Sequence, residues 1–258
     1  IYRGLIESGF PTENIGVVDP SEAAQSAARA SGLIRIAESA TNADLSADLI
    51  VLAVKPQITG IALSPLAHRV SSTATVLSII AGINSASLAN LLGLPSDDAV
   101  VRSMPNTPAL VGEGMTGLFS NSDQRAHGRL LAERVMSAVG QCVWVSNESD
   151  LDLVTAISGS GPAYFFLFME SLADAAVELG MSPQTAHQLS IQTALGAAKL
   201  AQTSDDALAK LRENVTSPGG TTEQAIKSFE ASELRAIVMS ATRAAKKRSI
   251  ELSEEFGL

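Results

Sequence analysis

The first 147 residues alternate short apolar runs with segments whose apolar residues recur at helical spacing. This alternation is typical of a parallel β-sheet whose strands are joined by crossover helices. The run at 49–54 has six apolar residues without alternation, which predicts a strand buried on both faces. The predicted strands are 15–18, 33–37, 49–54, 76–80, 99–104, 115–119 and 142–145, the last two with a partly exposed pattern.

Helical spacing connects these strands, with an Ala-rich helix predicted up to Ser31 and a capped helix near Ser39. Residues 1–9 predict the end of an amphipathic helix that stops at Gly9. The sequence has no G-x-G-x-x-G turn between a first strand and a first helix. We therefore expect the first strand and its glycine-rich turn to precede Ile1, so the residues that bind a pyrophosphate are not assigned.

The β pattern stops near Asn147, and the remaining chain is rich in Ala and Leu at helical spacing. We predict two domains, an α/β domain over 1–147 and an all-helical domain over 148–258. The stretch at 163–169 is apolar around the whole helix circumference, and 194–201 is nearly so. A helical domain of this size has little room for helices buried on all sides, so we expect part of this surface to meet another subunit.

Composition and charge argue against several classes of function. The chain has 258 residues, 46% of them hydrophobic and 17% charged, with a net charge of −9. Both predicted domains are acidic, which argues against binding nucleic acid. No apolar run approaches the roughly 18 residues that span a bilayer, and there is no secretory signal, so we expect a soluble protein without membrane partners. The lone Cys142 excludes an internal disulfide and a cysteine-based zinc site, and it suits a reducing cytoplasm.

Ligands of parallel α/β sheets bind at the carboxyl ends of the strands. Asp19 follows the first predicted strand, where an acidic residue binds ribose hydroxyls or, alternatively, forms an N-cap or Asx turn. The Val54-Lys55-Pro56 turn holds a lysine near any bound phosphate or ribose, although a solvated turn lysine has the same pattern. Small residues at Ala81-Gly82 let a flat ring or pyrophosphate approach the backbone, and close packing explains them almost as well.

A second candidate site lies in the segment 214–223. Its Pro218-Gly219-Gly220 turn precedes a predicted helix start at Thr221, where unpaired N–H groups and hydroxyls suit a carboxylate or phosphate. An ordinary capping box is the alternative, although it leaves Ser217 and the two glycines unexplained. Ser158-Gly159-Ser160-Gly161-Pro162 has similar composition, and there close helix packing is the favoured explanation.

Other kinds of active site are not supported. The three histidines, His68, His127 and His187, lack metal-ligand spacing, and no nucleophile elbow, Ser-His-Asp order or Walker motif is present. The sequence therefore offers no evident strong acid or base. This favours chemistry that a cofactor performs while the protein orients the reactants.

Five motifs together resemble the pyrroline-5-carboxylate reductase family over essentially the whole chain. They are Val54-Lys55-Pro56, Ile80-Ala81-Gly82, Arg102-Ser103-Met104-Pro105-Asn106-Thr107-Pro108, Ser158-Gly159-Ser160-Gly161-Pro162-Ala163-Tyr164 and Val215-Thr216-Ser217-Pro218-Gly219-Gly220-Thr221-Thr222. The resemblance implies reduction of 1-pyrroline-5-carboxylate to L-proline by NADPH or NADH, the last step of proline biosynthesis. It also implies a Rossmann-like N-terminal domain and a helical dimerisation and substrate-binding domain, with dimers often assembled into larger rings.

The resemblance also implies roles for individual residues. Val54, Lys55 and Ala81, with the adjacent Pro56 and Gly82, would line the cofactor, and Asn214 would reach the nicotinamide ribose. The loop at 217–222, with Ser217, Gly219, Gly220 and Thr221, would hold the substrate carboxylate. Thr222 would hydrogen-bond the ring nitrogen as the catalytic residue, and Glu148 would approach the same nitrogen.

The residues leave the preference between NADPH and NADH open, and the family resemblance slightly favours NADP(H). The charge of Asp19 would oppose a 2′-phosphate, whereas the adjacent Ser21 could accept one.

Two other functions are alternatives. A 3-hydroxy acid dehydrogenase would need a catalytic lysine in the helical domain, and its main candidate, Lys199, lacks the expected neighbours. A non-catalytic dimeric paralogue is disfavoured by the intact loop at 217–222.

Overall fold

The chain divides into two compact units, which are described separately. The first consists of Ile1–Ser160 together with the segment from Ala245 onward, and the second is Gly161–Ala244. The computed structural model describes residues 1–122 and 126–256. The segment 148–160, predicted to open the helical domain, packs within the first unit. The domain boundary at 147/148, which is drawn from sequence character, stays a prediction.

The described part of the first unit contains seven strands in two sheets. The strands are β1 (Gly16–Val18), β2 (Arg35–Ala37), β3 (Leu49–Leu52), β4 (Thr75–Ser78), β5 (Val100–Met104), β6 (Gly114–Ser120) and β7 (Gly140–Trp144). β1 and β2 form a parallel pair, and β3 to β7 form a five-stranded sheet in sequence order. Only the β5–β6 pair of this larger sheet is antiparallel. The predicted α/β character of the N-terminal part is confirmed.

Helices connect the strands, as predicted. They are α1 (Tyr2–Glu7), α2 (Glu22–Ala30), α3 (Thr59–Leu63), α4 (Ser85–Leu92), α5 (Ala126–Ser137) and α6 (Asp150–Val154), the last continuing into a π-helical turn at Thr155–Gly159. Side chains cap α2 and α4, since Ser21 accepts from the Ala24 N–H at the start of α2 and Asn84 accepts from the Ser87 N–H at the start of α4. Gly9 follows α1 with a φ of +85°, as its predicted stop position requires.

The helix predicted near Ser39 is not formed. The Ser39 hydroxyl accepts a hydrogen bond from the Thr41 N–H at 3.2 Å, which stabilises a local turn instead of a helix. The Arg69 guanidinium donates to the carbonyl oxygens of Ala40 at 2.6 Å and of Ala43 at 3.0 Å. These carbonyl groups are thus satisfied by a side chain, which removes the need for helical hydrogen bonds.

Two apolar clusters cover the two faces of the larger sheet, because successive strand residues point to opposite sides. Val76 belongs to one cluster, with Leu88 of α4, and Leu77 to the other, with Met136 of α5. β4 is therefore buried on both faces. β3 also packs against both clusters, as predicted for 49–54, with Ile50 against one and Val51 against the other. Its burial is less complete than predicted, because β3 is an edge strand that ends at Leu52 and is only half-buried along most of its length.

The second unit is helical, which confirms the predicted class of the C-terminal part. Its helices are α7 (Gly161–Glu178), α8 (Pro183–Thr203), α9 (Leu208–Asn214), α10 (Thr221–Ala231) and α11 (Leu234–Phe256), whose last turns belong to the first unit. α7 packs against α8, where the buried Ser190 hydroxyl donates to the Met169 carbonyl oxygen at 2.6 Å.

Large apolar side chains of α7 are exposed, as its sequence predicts. Phe165, Phe166 and Leu167 each expose more than 60% of their surface. The continuous helical stretch Asp150–Glu178 is long and apolar enough to cross a membrane when judged by length and composition alone, and 17% of its most apolar window is buried. A helix covered by another subunit meets the same two criteria, so they do not identify its surroundings.

Candidate active site

The first group of predicted site residues lies in the first unit, at the carboxyl ends of β1, β3 and β4. After β1, Asp19 Oδ1 accepts a hydrogen bond from the Ser21 N–H at 2.8 Å, and the Asp19 carbonyl oxygen accepts from Gln25 Nε2 at 2.8 Å. Ser21 in turn caps α2. Both side chains therefore have local capping contacts, which is the alternative that their sequence left open. Their contact with a ribose or a 2′-phosphate stays a prediction.

The turn after β3 presents a lysine to solvent. Pro56 begins a short 3-10 turn, and the Lys55 carbonyl oxygen accepts from the Thr59 hydroxyl at 3.2 Å, so the backbone of the turn is fixed. The Lys55 side chain is exposed, and within the described ranges its amino group has no hydrogen-bond or ion-pair partner. Val54 and Pro56 are half-buried beside it. A cation held at a strand end in this way fits an anionic nucleotide.

The loop after β4 is tightly packed. Gly82 has a φ of +79°, and a Cβ atom on it would lie 3.2 Å from the Leu252 carbonyl oxygen of α11. Backbone conformation and packing within the first unit thus already demand glycine here. Ala81 beside it is half-buried. The predicted approach of a nucleotide to Ala81 and Gly82 is not needed to explain the glycine, and it stays a prediction.

Glu148 lies at the centre of a polar cluster in the first unit. Its Oε1 atom accepts hydrogen bonds from the Ser85 N–H at 2.7 Å and the Ser85 hydroxyl at 2.8 Å, and Arg102 Nη1 lies 3.2 Å from it. The Arg102 side chain is 13% exposed and that of Glu148 is 26% exposed. The ion pair is therefore largely shielded from water. The structure thus connects Glu148 to the start of α4, which follows the Ala81–Gly82 turn.

A second polar cluster joins the loop after β5 to the π-helical turn. Asn106 Nδ2 donates to the Ser158 carbonyl oxygen at 3.1 Å, and Asn106 Oδ1 accepts from the Met115 N–H at 2.8 Å. The Ser158 hydroxyl donates to the Met115 carbonyl oxygen at 3.3 Å. π-helical turns occur frequently at functional sites. Asn106 holds this π-helical turn against β6.

Ser85, Arg102 and Asn106 are not among the site residues predicted from the sequence. One signal for Arg102 was present, because it is the lone charged residue in the apolar run 99–104. A charged residue in a buried strand requires a counter-ion, and its partner lies 46 residues away along the chain. The sequence alone does not show which acidic residue is the counter-ion of Arg102. Asn106 lies in the motif at 102–108, although that motif does not indicate its partner, and Ser85 carries no comparable signal.

The second group of predicted residues lies in the second unit, in the loop before α10. Gly219 has a φ of +71°, and its N–H donates to Glu223 Oε2 at 2.7 Å. Lys227 Nζ lies 3.0 Å from Glu223 Oε1. The hydrogen bond from Lys227, followed by the one from Gly219, lowers the pKa of the Glu223 carboxyl. The loop therefore binds a carboxylate of its own chain, in the manner of a capping box.

The hydroxyl groups of this loop are exposed. The α10 N-cap is Gly220, which provides no side-chain hydrogen bond, and its own N–H donates to the Ser217 carbonyl oxygen at 3.0 Å. Ser217, Thr221 and Thr222 are exposed, and their hydroxyl groups have no partner in the part of the chain that the structure describes. Asn214 ends α9, with Nδ2 3.5 Å from Asp206 Oδ2. The roles of these residues toward substrate and nucleotide stay predictions.

Over residues 1–122 and 126–256, no group of three or more His, Cys, Asp or Glu side chains is arranged to hold a metal ion. The side chains that fit a nicotinamide nucleotide are the carboxylate of Asp19, the hydroxyl of Ser21 and the amino group of Lys55. They follow parallel strands, where such nucleotides bind.

Two family models match the chain. Residues 148–252 match the model described as pyrroline-5-carboxylate reductase dimerisation. Residues 1–82 match the model of coenzyme F420-dependent NADP oxidoreductases. The two matches thus cover the helical part of the chain and the part that contains β1 to β4.

Curated relatives are similar over the whole chain. The chain is 45% identical to a pyrroline-5-carboxylate reductase of Pseudomonas aeruginosa, with 100% of this chain and 93% of that protein covered. It is 34% identical to the enzyme of that name in Arabidopsis thaliana, with 98% and 91% covered.

Solved structures of proteins with this enzyme name are also similar to the chain. A pyrroline-5-carboxylate reductase from Coxiella burnetii is 39% identical, with a TM-score of 0.89 and coverage of 97% of this chain and 92% of that one. The pyrroline carboxylate reductase of Plasmodium falciparum with NADP bound is 32% identical, with a TM-score of 0.82 and the same coverage. These similarities confirm the resemblance inferred from the five motifs. The chain belongs to the pyrroline-5-carboxylate reductase family.

Proposed function

We propose that the protein reduces 1-pyrroline-5-carboxylate to L-proline by hydride transfer from NAD(P)H, the last step of proline biosynthesis. The observation that carries this proposal is the 45% identity to the Pseudomonas aeruginosa enzyme over the whole chain. All five sequence motifs lie within that match. A full-length match at this level supports a shared activity more strongly than a shared fold does.

The chemistry needs little from acid and base groups. The cyclic imine is readily protonated, and its iminium carbon then accepts a hydride while the electron pair of the C=N bond moves to nitrogen. When bound, the nicotinamide cofactor supplies the hydride. The protein has to hold the imine carbon about 3–3.5 Å from the hydride donor and exclude other orientations. This demand agrees with a site that has threonine hydroxyls and backbone N–H groups.

The loop at 217–222 is the proposed substrate site. Its N–H groups would bind the substrate carboxylate, with Ser217, Gly219, Gly220 and Thr221 contributing. The Thr222 hydroxyl would hydrogen-bond the ring nitrogen and keep the iminium proton in place. The contact between the Gly219 N–H and the Glu223 carboxylate supports this assignment, because it is a hydrogen bond from this loop to a group of the same chemistry.

The cofactor residues proposed in the first unit are Asp19, Ser21, Val54, Lys55, Pro56, Ala81 and Gly82, with Asn214 from the second unit. NADP(H) is the proposed nucleotide. The NADP-bound relative from Plasmodium falciparum and the match to an NADP oxidoreductase model support it.

We also propose that the enzyme is a cytoplasmic homodimer, or a ring of such dimers, without a membrane partner. The exposed apolar residues of α7 and the match of residues 148–252 to a dimerisation model support the dimer. The same interface would complete the active site.

One assay tests the function. With 1-pyrroline-5-carboxylate present, the intact enzyme is expected to consume NADPH and to form L-proline in equal amounts. No proline formation under saturating conditions would refute the proposal. A kcat/KM for NADH well above that for NADPH would reverse the proposed nucleotide preference alone.

A further inference from the structure

We propose that Glu148 is a positioning residue for the loop that follows β4, residues 79–84, and that it acts on the reaction through nucleotide binding. This role differs from the direct contact with the ring nitrogen that the family resemblance implies, because loss of such a contact would raise the KM for the substrate. It rests on the proposed function, because Ala81 and Gly82 of this loop are the expected nucleotide contacts.

One end of the loop is fixed by Glu148. Its Oε1 atom accepts from both donors of Ser85, the first residue of α4, and from Arg102 on β5. These partners are 63 and 46 residues away along the chain. Hydrogen bonds to a charged group in a shielded site are stronger than neutral ones. Glu148 thus holds the start of α4 against the sheet.

The other end of the loop is fixed by Ser78, the last residue of β4. The Ser78 hydroxyl accepts from the Ile80 N–H at 3.2 Å, and the Ser78 carbonyl oxygen accepts from the Ser103 hydroxyl at 2.9 Å. Ser78 and Ser103 are both buried. The loop therefore runs between two fixed points, of which only the Glu148 point depends on a charge.

The middle of the loop packs against the last turns of α11, where Gly82 lies close to the Leu252 backbone. These turns are themselves held by the segment after Glu148, because the Ser249 hydroxyl donates to Asp152 Oδ1 at 2.6 Å. Glu148 and Asp152, four residues apart, therefore fix the loop end and the helix that supports its middle. Both lie in the segment that matches the dimerisation model.

A displaced loop would affect the nucleotide first. Backbone groups that contact a flat ring or a phosphate must be held within a fraction of an ångström, because hydrogen bonds weaken steeply with distance and angle. A glutamine at 148 still accepts from Ser85, but it carries no charge to balance the shielded Arg102. We therefore expect nucleotide affinity to fall in Glu148→Gln while the substrate loop at 217–222 keeps its own contacts.

The test measures NADPH binding directly. In Glu148→Gln, the Kd for NADPH, titrated by fluorescence without substrate, is expected to rise about 10-fold or more. At saturating NADPH, the KM for 1-pyrroline-5-carboxylate is expected to stay within about twofold of its original value. Glu133→Gln is the matched control, because Glu133 is a half-buried glutamate of the same unit that accepts from Trp144 Nε1 at 3.0 Å. Its NADPH affinity is expected to be unchanged.

A milder variant covers the case in which Glu148→Gln does not fold. Ser85→Ala removes one hydroxyl donor and leaves the backbone N–H, so the Kd for NADPH is expected to rise about threefold. Circular dichroism and the melting temperature show whether each variant is folded.

The proposal is overturned if folded Glu148→Gln binds NADPH normally, whether or not the KM for the substrate rises. It is equally overturned if Glu148→Gln does not fold and Ser85→Ala binds NADPH normally. Failure of the proposed function would give a different result, because the original protein would then bind NADPH but form no proline.

Discussion

Two glutamates of this protein are bound by different kinds of donor. The two side chains are similarly exposed, at 26% for Glu148 and 30% for Glu223. Glu148 accepts from a serine and from an arginine that is 13% exposed, whereas Glu223 accepts from a glycine N–H and from a lysine that is 62% exposed. Removing the charge of Glu148 leaves Arg102 without its counter-ion in a place that water hardly reaches, which is costly. The surface pair of Glu223 and Lys227 is screened and contributes little to stability.

Thr222 provides the test of the proposed substrate loop at the level of one residue. In Thr222→Ala, kcat/KM for 1-pyrroline-5-carboxylate is expected to fall on the order of 10-fold or more, because the ring nitrogen loses its hydrogen-bond partner. Thr222→Ser keeps the hydroxyl and is expected to retain most of the activity. Steady-state kinetics with both variants measure this. Equal kinetics for Thr222→Ala and the original enzyme would remove Thr222 from the mechanism.

At the scale of elements, position in the sheet decides burial more than the composition of a strand does. β3 has the most apolar predicted run but lies at an edge, whereas β6 was predicted to be partly exposed. In fact β6 lies between β5 and β7, and Thr116, Leu118 and Phe119 are buried. β7 is the other edge strand and has the partly exposed pattern that was predicted.

The loop after β4 allows a test at this scale. Gly82→Ala is expected to lower the free energy of unfolding by about 1–3 kcal/mol, since alanine disfavours the left-handed conformation and its Cβ would crowd the Leu252 backbone. Gly60→Ala in α3 is the control, because no atom lies within 4 Å of its added Cβ. Urea unfolding measures both variants. Equal stability of the two would contradict the packing argument.

The sequence was sufficient for local features and insufficient for long-range ones. The strand positions, the stop of α1 at Gly9 and the helical C-terminal part follow from local pattern and turn chemistry. The pairing of Arg102 with Glu148 and the contact of Gly82 with Leu252 do not. Each joins segments far apart in the chain, and many other pairings have the same local chemistry. The helix predicted near Ser39 is wrong for the same reason, a long-range contact, because Arg69 donates to carbonyl groups that lie 26 and 29 residues away in the chain.

At the scale of the whole molecule, the main feature is apolar surface without a cover in the second unit. Phe165, Phe166 and Leu167 on α7 and Leu195 on α8 are exposed, in a chain with only 17% charged residues. Monomeric proteins rarely expose contiguous apolar patches of this kind. The match to a dimerisation model gives the reason for the composition that the sequence shows.

A charge within this surface tests the proposed dimer. Phe166→Glu is expected to raise the dimer dissociation constant on the order of 100-fold, because a large aromatic contact is lost and a carboxylate loses its water. Light scattering after gel filtration measures the mass. Ile61→Glu is the control, since Ile61 is 82% exposed in the first unit. An unchanged mass for Phe166→Glu would place the interface elsewhere.

The exposed face of α7 has a thermodynamic consequence once it is covered by a second copy. Folding is then linked to association by mass action, so the melting temperature rises with protein concentration and falls on dilution. A twofold interface also presents each such side chain twice, which doubles the effect of a substitution there on the assembled state. The second unit has few buried side chains of its own, so its folded fraction would rise with the protein concentration.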